Sequence, residues 1–154
     1  SQPMQSKSAA NYSNAALARV EALKNGYDEA IMLNNKGNVA EGSAENIFVV
    51  KNGIIKTPPL DADILNGITR DSVIQLIKKE HMKLVEKNIT VNELLKADEV
   101  FMTGTAAEVK SVTKIDKNAI GNGGVGEITK ELQKSFMNIV MGKDKRFVRW
   151  LTCL

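Results

Sequence analysis

Apolar residues at Ala15, Leu17, Val20 and Leu23 recur at helical spacing through Asn11 to Asn25, and Gly26 supplies the stop. Short apolar runs follow. Ala30 to Leu33 and Val39 to Ala40 flank the turn composition Asn34-Asn35-Lys36-Gly37, while Ile47 to Val50 and Ile54 to Lys56 flank Asn52-Gly53, a strong hairpin signal. Pro58-Pro59 forces an extended segment, after which Thr69 opens a helical pattern with Val73, Ile74 and Ile77 on one face, so that Gly67-Ile68-Thr69 lies at a helix start. Met82 to Glu86 reads as a strand. Thr90-Val91-Asn92-Glu93 has the spacing of a capping box and opens a short helix closing near Ala97. Val100 to Thr103 reads as a buried strand, and Val109 to Val112 and Lys114 to Ile115 as further strands. After a glycine-rich turn, Ile128, Leu132, Phe136, Ile139 and Val140 mark a last helix over Ile128 to Met141. The tail from Lys143 to Leu154 is basic and then apolar, a segment expected to dock by its end. Hairpins mixed with crossovers, and no run of regular βαβ units, predict a mixed α+β domain.

Composition narrows the function classes. The 154 residues suit about one domain, and 43% hydrophobic with 25% charged residues is an ordinary globular balance. Lys and Arg number 21 against 18 acids, and the net charge of +3 forms no basic run, so nucleic acid is not an expected partner. Apolar runs such as Ile47 to Val50 fall far below the roughly 20 residues of a membrane-crossing helix, and no membrane association is expected. A single cysteine, Cys153, and a single histidine, His81, allow neither an internal disulfide nor a zinc knuckle. Ser1 to Ser8 carries no charged-then-apolar leader, and the expected location is cytoplasmic.

Several motifs carry candidate chemistry. Gly121-Asn122-Gly123-Gly124-Val125-Gly126 matches the dinucleotide fingerprint G-x-G-x-x-G by letter. That motif needs a strand on either side and an acid roughly 20 positions on, whereas Lys143 to Arg149 is basic apart from Asp144, so the stretch is read as a turn. His81 ends a lysine-rich helix with no implied partner, and Asp61 and Asp63 after Pro58-Pro59 read as a solvated turn, so no metal is expected. Four other stretches converge on three kinds of group. Lys7, within Lys7-Ser8-Ala9-Ala10-Asn11-Tyr12, has small neighbours that leave room for a Schiff base. Glu41-Gly42-Ser43-Ala44-Glu45-Asn46 sets a carboxylate at a strand end among small residues, where it could face a ring. Gly67-Ile68-Thr69 and Gly104-Thr105-Ala106-Ala107 offer backbone amides and hydroxyls to a phosphate or carboxylate. Amine, carboxylate and anion cradle together suggest pyridoxal phosphate. From the residues alone, an exposed lysine, a surface glutamate and two ordinary turns stay open as the alternative.

In family order, these motifs resemble the class IV aminotransferases, and among them the branched-chain amino acid aminotransferases. The matching stretches are Lys7 to Tyr12, Gly26-Tyr27-Asp28-Glu29-Ala30, Glu41 to Phe48, Thr57-Pro58-Pro59, Leu65-Asn66-Gly67-Ile68-Thr69-Arg70, Ala97 to Glu108, Gly121 to Thr129 and Trp150-Leu151-Thr152. The resemblance implies the large C-terminal domain of the D-amino acid aminotransferase-like fold, a mixed sheet or pseudo-barrel with surrounding helices. It implies pyridoxal 5'-phosphate as cofactor and transfer of the amino group of L-leucine, L-isoleucine or L-valine to 2-oxoglutarate, a step of branched-chain amino acid biosynthesis. On this resemblance Lys7 is the catalytic lysine that also carries the cofactor, and Glu41 pairs with the pyridine nitrogen. Tyr12 meets the cofactor's 3' oxygen, and Leu65 packs on the ring. Ile68, Thr69 and Thr105 hold the phosphate, while Thr105 and Ala106 receive the substrate carboxylate.

Leu65-Asn66-Gly67-Ile68-Thr69 departs from the family's common Leu-Pro-Gly-Ile-Thr, which leaves the amides available without proline's fixed φ. Family members are also about twice as long, so residues 1–154 correspond to the cofactor-bearing domain without the smaller N-terminal one. The full-length form is expected to be a homo-oligomer acting on amino acid and 2-oxo acid substrates. The competing readings are a D-amino acid aminotransferase or aminodeoxychorismate lyase of the same family, and a non-catalytic fragment that keeps the fold.

Overall fold

A computed structural model of the chain describes residues 9–146, with side chains from Asn14 onward. The elements run α1 (Ala9–Lys24), β1 (Ile31–Leu33), β2 (Val39–Gly42), β3 (Asn46–Lys51), β4 (Ile54–Thr57), α2 (Ile68–Lys79), β5 (Lys83–Glu86), α3 (Val91–Leu95), β6 (Glu99–Gly104), β7 (Glu108–Ser111), β8 (Lys114–Ile115), β9 (Asn118–Ala119) and α4 (Glu127–Val140). A five-stranded sheet in the order β5-β4-β3-β6-β7 is flanked by two-stranded sheets β1-β2 and β8-β9. All pairs are antiparallel except β4 with β5, which α2 joins by a crossover. This is the mixed α+β architecture read from the pattern. Among the described residues no helix is long and apolar enough to cross a membrane.

Local chemistry accounts for the boundaries. Asn52 and Gly53 both adopt positive φ, at 50° and 74°, the pair of left-handed residues that a tight two-residue hairpin requires between β3 and β4. Thr90 and Glu93 form the full capping box of α3, each side chain accepting from the other's backbone N–H. The glycine-rich stretch is a turn before α4, as expected, and β9 is a short strand that no apolar run at Asn118-Ala119 announces.

The central strand β3 is buried on both faces, and its alternation sorts two cores. Phe48 and Val50 face α2 and α4 with Val73, Leu76, Ile77, Phe101 and Leu132. Ile47 and Val49 face the other way, against Val39, Ile89, Leu94, Val100 and Met102. Phe48 lies opposite Phe101 across the ladder, and their rings stack at 4.9 Å between centroids. Arg70 on α2 is buried and donates to the Pro58 carbonyl (3.1 Å) and to Glu86 at the end of β5 (2.7 Å), which staples the crossover. The apolar residues that predicted α1 do not enter either core: Leu17, Val20 and Leu23 are exposed.

Candidate active site

Of the predicted site residues, Glu41, Leu65, Ile68, Thr69, Thr105 and Ala106 are described with their side chains, and they lie near one end of the five-stranded sheet. Glu41 is on β2, and its Oε2 accepts from the backbone N–H of Leu65 (3.1 Å) and from Asn46 Nδ2 (3.4 Å). Asn46, the first residue of β3, is buried and also donates to the Leu65 carbonyl (2.9 Å). The Leu65 segment leads through Gly67 into α2. A Cβ on Gly67 would overlap Asn46 Oδ1, so the chain passes over Asn46 at a distance that only glycine permits. The α2 N-cap is Gly67 itself, with extended backbone and no side-chain cap, so no side chain of the helix's own start occupies the first-turn amides. Ile68, the first helical residue, is 86% exposed, and Thr69 is half-buried beside it.

Thr105 and Ala106 enter the same neighbourhood from β6. Asn46 pairs with Thr103 across the ladder, and two residues on Thr105 and Ala106 form the turn between β6 and β7. That turn is seated against the loop joining β2 to β3, since a Cβ on Gly104 would stand 3.0 Å from Glu45 Cγ and 3.2 Å from the Ala44 carbonyl. Glu41, Leu65, Ile68, Thr69, Thr105 and Ala106 are therefore tied to one region by short contacts through Asn46, Gly67 and Gly104. Lys7 lies outside the described residues. Tyr12 lies on α1, with its side chain outside them.

Neighbouring carboxylates shape the electrostatics. Glu29 accepts from the Ser43 hydroxyl and from the backbone N–H of Ala30 (2.8 Å), and it pairs with Arg19 at 4.0 Å. Burial pushes the Glu45 carboxyl above its ordinary range, Glu29 adds to the shift, and Lys110 and Arg19 oppose it. Glu45 Oε2 is buried with no hydrogen-bond partner among the described residues. It borders an open groove of about 880 Å³ between α1 and β7, lined also by Tyr27, Met102 and Lys110.

His81 is an exposed residue in the turn after α2, and among the described residues no group of three or more metal-ligating side chains could hold an ion. Asn46, which bridges Glu41 and Leu65, is not singled out by sequence reasoning. It stood within a matched motif, but its partners are 5 and 19 residues away, and no periodicity links such positions.

Residues 2–115 match the model of the amino-transferase class IV family. The chain is 56% identical over 151 residues to a protein of Aquifex aeolicus named a probable branched-chain-amino-acid aminotransferase, covering 97% of this chain and 49% of that protein. Among solved structures it superposes with a TM-score of 0.94 on the T.th. branched-chain amino acid aminotransferase complexed with N-(5'-phosphopyridoxyl)-L-glutamate, at 43% identity over 98% of this chain and 51% of that one. The branched-chain aminotransferase of the archaeon Thermoproteus uzoniensis, solved with norvaline, gives the same TM-score at 45% identity, with 98% and 50% covered. The chain thus spans about half the length of the relatives it matches. With the motifs in order and the fold superposing over nearly its whole length, this chain belongs to the class IV aminotransferases.

Proposed function

We propose that this chain is the cofactor-bearing C-terminal domain, residues 1–154, of a pyridoxal 5'-phosphate-dependent branched-chain amino acid aminotransferase. The complete protein would move the amino group of L-leucine, L-isoleucine or L-valine to 2-oxoglutarate. The observation that carries the reading is the Glu41 carboxylate, fixed by Leu65 and Asn46 beside a helix start that no side chain of its own caps. Those residues fit the cofactor: a carboxylate suits a protonated ring nitrogen, and first-turn amides that no side chain caps among the described residues suit a phosphate. The likeness to an aminotransferase complexed with a phosphopyridoxyl amino acid supports the same choice. A cytoplasmic, homo-oligomeric full-length form belongs to this reading.

When bound, the cofactor supplies an electron sink for the pair released at the substrate Cα. The Lys7 amine carries the cofactor and moves the proton to and from that carbon. Glu41 holds a proton at the ring nitrogen, and Leu65 covers a ring face and excludes water. Tyr12 donates its phenol hydrogen to the 3' oxygen. The amides of Ile68 and Thr69, with the Thr69 and Thr105 hydroxyls, bind the phosphate at the positive end of α2. The amides of Thr105 and Ala106 receive the substrate carboxylate, which fixes the Cα–H bond relative to the Lys7 amine.

The test is an absorbance spectrum of the complete protein with pyridoxal 5'-phosphate, then borohydride reduction and peptide mapping. A visible band, label at Lys7 and bleaching by L-leucine are the expected results. Label scattered over surface lysines would overturn the cofactor assignment, and bleaching by D-alanine but not L-leucine would move the protein to the D-amino acid branch.

A further inference from the structure

We propose that Asn46 is a positioning residue that locks the Glu41 carboxylate to the segment opening α2, so that the partner of the ring nitrogen and the elements packing on the ring and phosphate move as one body. The inference rests on the roles proposed above for Glu41 and Leu65. Glu41 belongs to the two-stranded sheet β1-β2, whereas α2 packs on the five-stranded sheet. Among the described residues no ladder joins those two sheets, so the separation between carboxylate and helix start must be set by side chains and loops. Asn46 belongs to the larger sheet, is 5% exposed, and is paired there with Thr103.

The bonds close a ring. One Nδ2 proton of Asn46 goes to the Leu65 carbonyl (2.9 Å) and the other toward Glu41 Oε2 (3.4 Å), while the Leu65 N–H returns to the same Oε2 (3.1 Å). Leu65 is therefore held at both its N–H and its C=O, and two donors on one carboxylate oxygen fix the rotation of the Glu41 side chain. The Oδ1 end of Asn46 sets the third limit, because Gly67 passes so close to it that no Cβ fits. A single nitrogen must serve two acceptors, which an aspartate, serine or apolar side chain of similar size cannot do.

The test uses the complete protein loaded with pyridoxal 5'-phosphate carrying ¹⁵N in the ring, and it reads the ring-nitrogen chemical shift, cofactor affinity and Tm. Asn46→Leu keeps close to the size and removes both donors without adding a charge beside Glu41, and Asn46→Ser is a smaller second variant. Each is expected to move the ring-nitrogen signal toward the unprotonated position and to weaken cofactor binding about tenfold. Ile47→Ala, next along β3 but facing the opposite core, lowers Tm and leaves the signal in place, so mere structural damage is distinguishable. A ring-nitrogen signal at the wild-type position with affinity within twofold in both Asn46 variants would overturn the positioning role. If Glu41→Gln also fails to move the signal, the assignment of Glu41 itself falls; if Glu41→Gln moves it and the Asn46 variants do not, only the role of Asn46 is lost.

Discussion

Helices α2 and α4 begin alike and end up with opposite tenants. Each has a glycine N-cap in extended backbone, Gly67 or Gly126, with no cap from its own side chains, and each has a threonine in its first turn. At α4 the first-turn amides are taken: Glu99, reaching from β6, accepts from Ile128 N–H (3.2 Å) and Thr129 N–H (2.9 Å). Gly126 is glycine because a Cβ there would overlap the Glu99 carboxylate. At α2 the residue crowding the glycine is Asn46, a neutral amide that spends its donors on Leu65 and Glu41 instead. One helix start is thus closed by a resident anion and serves the fold. The other has no such cap among the described residues, and it is there that the phosphate is proposed to sit.

Removing the resident anion is the strongest way to break this contrast. Glu99→Ala strips two charge-assisted bonds from α4 and is expected to cost about 2–3 kcal/mol, read as a drop of several degrees in Tm. Cofactor affinity should stay at the wild-type value, because Glu99 acts at the other helix. A matching loss of affinity would mean the two helix starts are not independent. Crowding the open start should do the reverse. Gly67→Ala drives a methyl into Asn46 Oδ1, and relief of the overlap at about 1–2 kcal/mol predicts roughly tenfold weaker cofactor binding by equilibrium titration. Unchanged binding would remove the α2 start from the phosphate site.

What could be read from the sequence divides along the same line as these contacts. The turn at Asn52-Gly53, the capping box at Thr90 and the helix over residues 127–140 are local, and their signals lie within a few residues. Glu41, Leu65, Thr69 and Thr105 were recognised through motif order, but nothing in the spacing said that they meet. The Glu99 cap joins residues 29 and 30 positions apart, and in the sequence its only trace was a glycine within a stretch resembling a dinucleotide fingerprint. The structure gives those glycines another cause: Gly121 passes against the Asp98 carbonyl and Gly126 against Glu99. Periodicity likewise marked α1 as a helix without saying that Leu17, Val20 and Leu23 stay outside both cores.

A third helix start sharpens the comparison at a smaller scale. α3 is capped by its own residues, with Thr90 Oγ1 accepting from Glu93 N–H (3.1 Å) and Glu93 accepting from Thr90 N–H (2.9 Å). Thr90→Ala is expected to cost about 1 kcal/mol, less than loss of the Glu99 cap, with no effect on the cofactor. The Glu93 carboxyl lies below its ordinary range, chiefly through the Thr90 N–H and then Lys87. Its contribution is therefore present above the unfolded-state value and is lost as pH falls through the folded one, so the wild-type advantage over Glu93→Gln should shrink in acid. An advantage that held constant through the acid range would rule out the ionised cap.

The smallest effect concerns the carboxylate that has no such partner. Glu99 has both oxygens engaged by amides, whereas Glu45, packed under Gly104 at the other end of β6, keeps a buried Oε2 without one among the described residues. Burial first, and then the Glu29 carboxylate, raise its pKa above the ordinary range. A raised folded value means that its contribution to stability is fully present below the unfolded value and is lost as pH rises through the folded one. Glu45→Gln removes the charge and keeps the shape, so it is expected to raise Tm slightly at neutral pH, with the gap closing as the pH is lowered through the ordinary glutamate range. A Glu45→Gln protein less stable than wild type at neutral pH would show that the carboxylate is held by a favourable charge partner, and that the β6 end carries a second paired acid instead of a strained one.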